Sequence, residues 1–589
     1  MIIPRFYARS SFFSLAWTAL VVICALPVIQ AQGVYEYSVK GNNTGPISQY
    51  KSRPDIYAPF LNISLFVEGA VTPGYIFLGP YQTFQEAIYI YDNRGNLVYS
   101  GYGSTGGGPS HNFHVCSIDG KNNLCYITGG QNVGYVRGYG VVLDDAFTTK
   151  TSIHSGGGVA NFDEHEFNVL PDGSSLFTLY NPEHYDLSFY NISGQGWVMN
   201  NFFQRLEIGT NRLMFEWSAL DHVLPNETFV LPDTTEVSGD GLGSTTPWDY
   251  FHINSVDMNA DGDYLVSARH TCTVYKVSGQ NGSVLWRLGG IASDFSFPPG
   301  LNFSFQHDAR FREENATTTI ISLFDNASNG YNQTSRYSSG MFLKLDHKTN
   351  SVTLLQDFVA PYQFISASQG NLQVLGRNKD WRTSNVFLGW GKNAFISEYG
   401  PYGRMVQQGH FASEGAMHYR AFKYNFTSNP TDAPALYTYA LNTSAPTTYW
   451  MSWNGATKVA SWRLYSSANR NGPWTAVGMV KKNGFETMFT GQDFYPWSIV
   501  ESLDVHGKPL KNSTRPIWTF VPSSDLAAMC NAQGCPTATS ISVPTPTGNS
   551  SASTTTSAGV GVQKRGSPGS GVDGKLGFMA MFGLGAFIV

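Results

Sequence analysis

The sequence predicts an all-β protein, a β-propeller followed by a smaller β-sandwich, and three observations predict it. Charged residues make up 13% of the chain against 42% hydrophobic and 14% aromatic, a balance that fits a sheet-rich extracellular protein better than a helical cytosolic one. Between about 80 and 435, short alternating runs such as "AIYIYDNRGNLVYSG", "HEFNVLPDGSSLFTLYN", "DYLVSARHTCTVYKVSGQNGSVLWRLGG" and "NAFISEYGPYGRMVQQG" are punctuated by Gly, Asn and Asp turns, and helical patterning is nearly absent. Two units read His, apolar run, Asp-Gly turn, strand; their turns at Asp172 and Asp261 lie 89 residues apart, twice the ~40 to 45 residue period of a propeller blade. The strands are too many and too short for a parallel α/β sheet, which leaves the propeller, with two stacked sandwiches as the alternative.

Residues 1–31 carry Arg5 and Arg9, an apolar run from about Phe12 to Leu26 and a small residue at Ala31, the pattern of a signal peptide. A membrane anchor fits less well, because Ser14 and Thr18 break a run already short for a span. Residues 32–80 are expected to add lead-in strands to a propeller domain covering 32–435. From 436 to 522 the runs "YWMSWNGATKVASWRLYSS", "GPWTAVGMV" and "FYPWSIVESLDVHG" read as a Trp-rich, fibronectin-III-like or Ig-like sandwich, a module that braces or binds. Residues 523–566 form a Ser/Thr/Pro-rich linker of the O-glycosylated type. Residues 567–589 then run from small residues into the apolar "LGFMAMFGLGAFIV", which matches a GPI-type attachment signal, with a short single-pass anchor as the alternative.

Thirteen Asn-X-Ser/Thr sequons agree with a secreted route: Asn42, Asn62, Asn191, Asn226, Asn281, Asn302, Asn315, Asn326, Asn332, Asn425, Asn442, Asn512 and Asn549. The expected location is therefore extracellular, tethered by lipid at the plasma membrane or cell wall, where surface glycans are available partners. A net charge of −5 without a long Lys/Arg run gives nucleic acid no footprint. Of six cysteines Cys24 leaves with the signal peptide, Cys116 and Cys125 flank a hairpin-like turn, and Cys530 and Cys535 close a short loop; both pairs are expected to form disulfides. Cys272 is left over, read as a buried thiol. No Cys/His spacing resembles a zinc site, and no cofactor is expected.

Three histidines stand at the start of strand-like runs: His165 in "DEHEFNVLPDG", His252 in "DYFHINSV" and His307 in "FQHDARF". In a propeller such positions reach the central channel from different blades. Strand alternation puts Asn254 on the face of His252, opposite Phe251, Ile253 and Ser255. The same argument sets Arg269 with Ser267 and Leu265, and His270 with Tyr264, Val266 and Ala268, so Arg269 rather than His270 is expected in the polar lumen. Asp163, Asp249 and Asp308 are candidates to orient the imidazoles, with surface turns as the alternative. Trp286 and Gly289-Gly290 read as architectural. Asp325 and Asn326 are within reach of the channel unless Asn326 is glycosylated, in which case it faces solvent.

Together "HEFNVLPDG", "DYFHINSVDMNADGDYLVSARHT", "GSVLWRLGG", "FQHDARF" and "ISLFDNAS" resemble the arylsulfotransferase family in its fungal-type secreted branch, over about 80 to 435. The resemblance implies a six-bladed propeller that moves a sulfuryl group from a phenolic sulfate ester to another phenol without a nucleotide donor. It also implies that His307 is the nucleophile and becomes transiently sulfated, with His165, His252 and Arg269 around the sulfate and Asn254 among the substrate contacts. The residue types suit that chemistry. Sulfuryl transfer, like phosphoryl transfer, spreads charge over peripheral oxygens, so positioning and cationic donors matter most. A neutral imidazole splits one hard transfer into two easier ones, and an arginine holds two oxygens in its planar fork. The competing reading is a catalytically inactive propeller that binds a ligand or glycan at the cell surface, favoured by the attached sandwich and anchor. A quinone-dependent dehydrogenase would need metal-binding acidic residues and a cofactor platform that the sequence lacks. Fold alone does not separate these readings.

Overall fold

The computed structural model describes residues 34–36 and 45–523, apart from 104–107, 161, 377–379 and 414. The expected leader, the Asn42 and Asn549 sequons, the Cys530–Cys535 pair, the linker and the C-terminal signal lie outside the described residues. The described chain is all-β, built of antiparallel sheets, with single-turn 3₁₀ segments at Ser188–Tyr190, Pro225–Glu227 and Pro361–Gln363. Among the described residues no helix is long and apolar enough to cross a membrane.

From 61 to 424 the strands fall into meanders of about four strands, two of which are joined edge to edge into one eight-stranded sheet by the pairing of Gly138 with Phe162. One runs Phe162–Val169, Ser174–Tyr185, Gly196–Glu207 and Leu213–Ser218. The next runs Ile253–Met258, Tyr264–Ala268, Thr273–Val277 and Val284–Gly289, and a third starts at His307–Asn315. Others start at Ser110–Ile118 and at Asn371–Val374, the latter carrying Leu61–Phe66 as a fifth strand. In the remaining meander the late strand Met417–Tyr424 pairs with the early strand Tyr75–Tyr81, so both ends of the region meet in one sheet. The segment 32–80 thus contributes integral strands.

The apolar alternation explains how these sheets stack. Along Tyr264–Ala268, Tyr264 and Val266 enter one core with Phe203 and Trp217, while Leu265 points the other way into a core with Ile321 and Leu343. Likewise Phe342 shares a core with Leu372 and Leu388, whereas Phe387 on the other face meets Ile76 and Tyr89. Phe77 joins Phe113 and Tyr126, and Cys125 and Ile127 join Phe167 and Phe177. Each sheet therefore buries both faces, one against each neighbour, which is why its second strand reads as an unbroken apolar run. Trp286 and Phe295 lie in one of these shared cores, as the architectural reading expects. Gly289 and Gly290 adopt φ of 80° and 70°, and a Cβ on Gly290 would fall 2.0 Å from the Thr273 hydroxyl, so the turn requires glycine.

The turns at Asp172 and Asp261 prove to lie in consecutive meanders, each joining a first strand to a second. Their spacing reaches 89 residues because long strands and the 219–252 connection enlarge one unit; no unit intervenes. Cys116 and Cys125 form the expected disulfide across the hairpin of Ser110–Ile118 and Lys121–Gln131, and Cys272 is a free, buried thiol.

Beyond 434 two further sheets face each other. Ala435–Tyr439, Thr448–Ser452 and Glu486–Thr490 form one, and Ser461–Ser467 with Thr475–Lys481 and Trp497–Leu503 centre the other. Tyr449, Met451, Trp462, Leu464 and Val500 fill the space between them. This unit is fastened to the rest by Glu486, which accepts from the Ser52 backbone at 2.6 Å, and by Asn454, which accepts from the Ser100 backbone at 2.9 Å.

Candidate active site

The residues that converge come from the ends of different first strands. His165 lies in Phe162–Val169, His252 immediately precedes Ile253–Met258, His307 opens its strand, and Tyr419 lies in Met417–Tyr424. With Arg269 and Gln369 they line a cavity of about 10 Å³. Several backbone conformations near it are unusual for residues other than glycine: φ is 55° at His252, 53° at Phe305, 55° at Asp308 and 62° at Gln369.

Each imidazole is held through Nδ1. His165 Nδ1 bonds Asp163, and its ring stacks on Tyr180 with centroids 5.0 Å apart. His252 Nδ1 bonds the Asp249 carboxylate at 2.5 Å, and its backbone N–H donates to the same group at 3.0 Å. The tautomer of His307 follows from its neighbours. Asn326 Nδ2 donates to the carbonyls of Ser366 (2.8 Å) and Gln369 (2.9 Å), which fixes Oδ1 toward His307 at 2.7 Å. Nδ1 therefore carries the proton, and Nε2 keeps a lone pair, which accepts from the Gln369 N–H at 3.2 Å. Burial first, and then Arg269, push the His307 pKa well below the ordinary histidine value, so the ring is neutral at physiological pH.

Arg269 is 4% exposed, and no carboxylate lies within ion-pair distance of it among the described residues. It donates from Nη1 to His270 Nε2 at 3.0 Å and from Nη2 to the Ala367 carbonyl at 3.1 Å, while its buried Nε has no partner. A desolvated guanidinium with unused donors is built to receive an anion. Toward solvent a vestibule of about 280 Å³ shares Arg269, Val237 and Ser368 with the inner cavity and is bordered by Tyr331 and Lys392.

His165, His252, His307 and Arg269 thus come together, but three expectations are corrected. His270 is not turned away: the strand ends at Ala268, so alternation stops there, and the His270 ring stacks on His252 with centroids 4.5 Å apart while bonding Arg269. Asn254 does not share the cavity with His252, because His252 precedes the strand with positive φ and the pairing register shifts between Ile253 and Ser255. Its amide instead donates to the Gln306 carbonyl at 2.6 Å. Asp163 and Asp249 orient imidazoles, whereas Asp308 bonds Arg310 at 2.9 Å and the Leu372 N–H at 2.9 Å and does not hold His307; Asn326 does that instead. Asn326 is fully buried, so it does not face solvent as a glycosylated residue would.

Sequence reasoning missed Tyr419, Gln369 and the orienting role of Asn326. Only Asn326 carried a signal, its place next to Asp325 at a strand end. Beneath the cavity lies a second polar region, where Arg420 and Arg310 pair with Glu166 at 3.1 and 2.6 Å. Burial raises the Glu166 carboxyl, but the two arginines outweigh it and hold its pKa below the ordinary value.

Among solved structures, a protein of unknown function from Bacteroides caccae is similar at 11% identity over 60% of this chain and 99% of its own, with a TM-score of 0.33. A protein from Lactobacillus plantarum is similar at 11% over 72% and 100%, TM-score 0.29, and apo AztD from Citrobacter koseri at 9% over 60% and 98%, TM-score 0.26. Scores this low support no inference about the site. No curated protein matches the chain. The model of the arylsulfotransferase (ASST) family matches residues 132–412, a span holding His165, His252, Arg269 and His307, and over that span the chain is similar to this family.

Proposed function

We propose that the protein is a secreted, surface-tethered aryl sulfotransferase that carries a sulfuryl group on His307 between a phenolic sulfate ester and a phenol, without a nucleotide donor. The match to the arylsulfotransferase family supports aryl sulfotransferase chemistry and phenolic substrates. The observation that carries the finer reading is the His307 imidazole: buried, neutral, its proton committed to Asn326, its Nε2 lone pair in the cavity that Arg269 also lines.

In the first half-reaction the Nε2 lone pair exchanges its hydrogen bond from the Gln369 N–H for attack on sulfur, the S–Nε2 bond forms, and the S–O(aryl) bond breaks with its electron pair leaving on the phenolate. In the second, the acceptor phenol attacks sulfur and loses its proton, and the S–Nε2 pair returns to the imidazole. Arg269 offers its free N–H groups to the peripheral oxygens throughout. One proton is needed by the leaving phenolate and one is released by the acceptor; His165, with Asp163 behind its Nδ1, is suited to carry it, and His252 with Asp249 completes the lining. The vestibule of about 280 Å³ approaches the volume expected of a small-ligand site and accommodates an aryl ring next to Arg269.

A six-bladed propeller is supported by the repeated four-stranded meanders, by cores shared between successive sheets, and by closure through Met417–Tyr424. The two facing sheets beyond 434 support a fibronectin-III-like brace. Exposure of the sequon residues Asn191, Asn226, Asn281, Asn302, Asn315, Asn332, Asn425, Asn442 and Asn512, with Asn62 half-buried, agrees with secretion. Purified protein incubated with a chromogenic aryl sulfate and a phenol is expected to transfer the sulfuryl group, with His307→Ala slower by at least ~10³-fold. Equal rates in parent and variant, or no transfer by either, would overturn the assignment.

A further inference from the structure

Buried tyrosines in this protein generally spend their hydroxyls on carbonyls: Tyr180 donates to Ile253 at 2.6 Å, Tyr91 to Pro59 at 2.7 Å and Tyr250 to Val223 at 3.1 Å. Tyr419 departs from this. Its side chain is 2% exposed, yet its hydroxyl has no hydrogen-bond partner, and the residue lines the inner cavity with His165, His252, Arg269 and His307. Leaving a buried hydroxyl unsatisfied costs about 1–3 kcal/mol, so such a group calls for an explanation, and a ligand that accepts from it is one.

Its placement is fixed from several sides. The ring stands edge-on to His165, centroids 5.3 Å apart at 89°, and meets His307 at 6.3 Å and 68°. The Arg420 guanidinium lies 5.4 Å from the ring centroid and is itself anchored to Glu166. Burial holds the phenol well above its ordinary pKa, so the hydroxyl keeps its proton and can donate. Tyr419 also lies outside the family-matched span of 132–412, on the strand that pairs with Tyr75–Tyr81.

We propose that Tyr419 is a substrate-contacting residue of this cavity, its hydroxyl donating a hydrogen bond to a peripheral oxygen of the tetrahedral sulfuryl group held by Arg269 and His307. This rests on the reading of the cavity as a sulfuryl site. The hydroxyl is unpaired in the free protein and becomes satisfied when the oxyanion binds, so it adds to ligand binding and nothing to the stability of the free protein.

That asymmetry defines the test, made on the full chain with Tyr419→Phe, which keeps the ring. Inorganic sulfate binding is measured by titration calorimetry, and the melting temperature is measured without sulfate. The expected result is a sulfate Kd raised at least fivefold, with a melting temperature equal to or above that of the parent. An unchanged Kd overturns the proposal, whether or not the melting temperature falls, since a fall would mark a structural hydroxyl. A parent that binds no sulfate overturns it as well. Transfer assays on the same samples separate this result from the parent reading. Sulfate binding that depends on Tyr419 in a protein that transfers nothing would refute the transferase alone, whereas normal transfer and unchanged Kd in Tyr419→Phe would refute only the role of Tyr419.

Discussion

Two polar regions lie one above the other at the centre of the protein, and they treat their arginines in opposite ways. In the lower region Arg420 and Arg310 share Glu166, Arg310 also pairs with Asp308 at 2.8 Å, and Arg420 donates to the Asn254 carbonyl at 2.9 Å. In the upper one Arg269 is just as buried but meets no carboxylate, and a neighbouring tyrosine hydroxyl is left unpaired. The lower network ties strands from separate sheets together and is electrically closed. In each region one buried arginine Nε lacks a hydrogen bond, but Arg420 Nε lies 3.6 Å from the Asp308 carboxylate, whereas no carboxylate lies within ion-pair distance of Arg269 among the described residues. A cavity of about 540 Å³ adjoins the lower network, far larger than the inner cavity of about 10 Å³ beside Arg269, so size alone does not pick out where the three histidines converge.

The sharpest way to break this contrast is to remove one arginine from each region. Arg420→Leu leaves Glu166 and Asp308 short of a cation in the interior and is expected to cost about 3–5 kcal/mol in denaturant unfolding. Arg269→Leu is expected to leave stability unchanged or raised while lowering kcat/KM for aryl sulfate about 10²- to 10³-fold. Equal stability losses in the two variants would erase the distinction.

A smaller effect should come from Asn326. Asn326→Leu frees His307 Nδ1 from its acceptor and is expected to lower kcat about 10- to 100-fold with little change in KM, whereas Asn326→Asp, which still accepts from Nδ1, should recover part of the loss. Loss of KM alone would assign Asn326 to binding instead.

The smallest effect is in pH dependence. His418 is fully buried with neither ring nitrogen bonded, and burial lowers its pKa to about 3. An unfolded chain protonates this ring near its ordinary value of ~6.5, so the unfolded state binds the extra proton and stability is lost as pH falls below that value. His114, lowered by burial to about 4, acts in the same sense. Asp325, raised by burial to about 7, and Asp249, raised to about 6, act in the opposite sense over much of the window. The net slope is therefore not diagnostic, but a single removal is. His418→Leu should flatten the rise of stability between pH 5 and 6.5 by about 1 kcal/mol per pH unit. An unaltered slope would mean that the folded protein protonates this ring as readily as water does.

The all-β class and its meanders were legible because both faces of each sheet are buried and Asp-Gly turns punctuate the strands. Three histidines were legible because their motifs sit at strand starts, and Arg269 because it follows the strand run that the alternation picked out. What escaped was local geometry. Alternation rules assume continuous strand, and they failed where positive φ at His252 and the end of a strand at Ala268 rotate side chains off the pattern. Tyr419 escaped for another reason: "AMHYRAFKY" is an ordinary alternating strand, and only its place against sheets remote in the chain gives the hydroxyl a meaning.

Pairing of Met417–Tyr424 with Tyr75–Tyr81 joins segments more than 300 residues apart. A chain growing from its N-terminus completes every imidazole and the Arg269 guanidinium of the cavity long before Met417–Tyr424 has been made. The wall that Tyr419 gives the cavity is thus missing from the nascent polypeptide until this late strand docks on Tyr75–Tyr81.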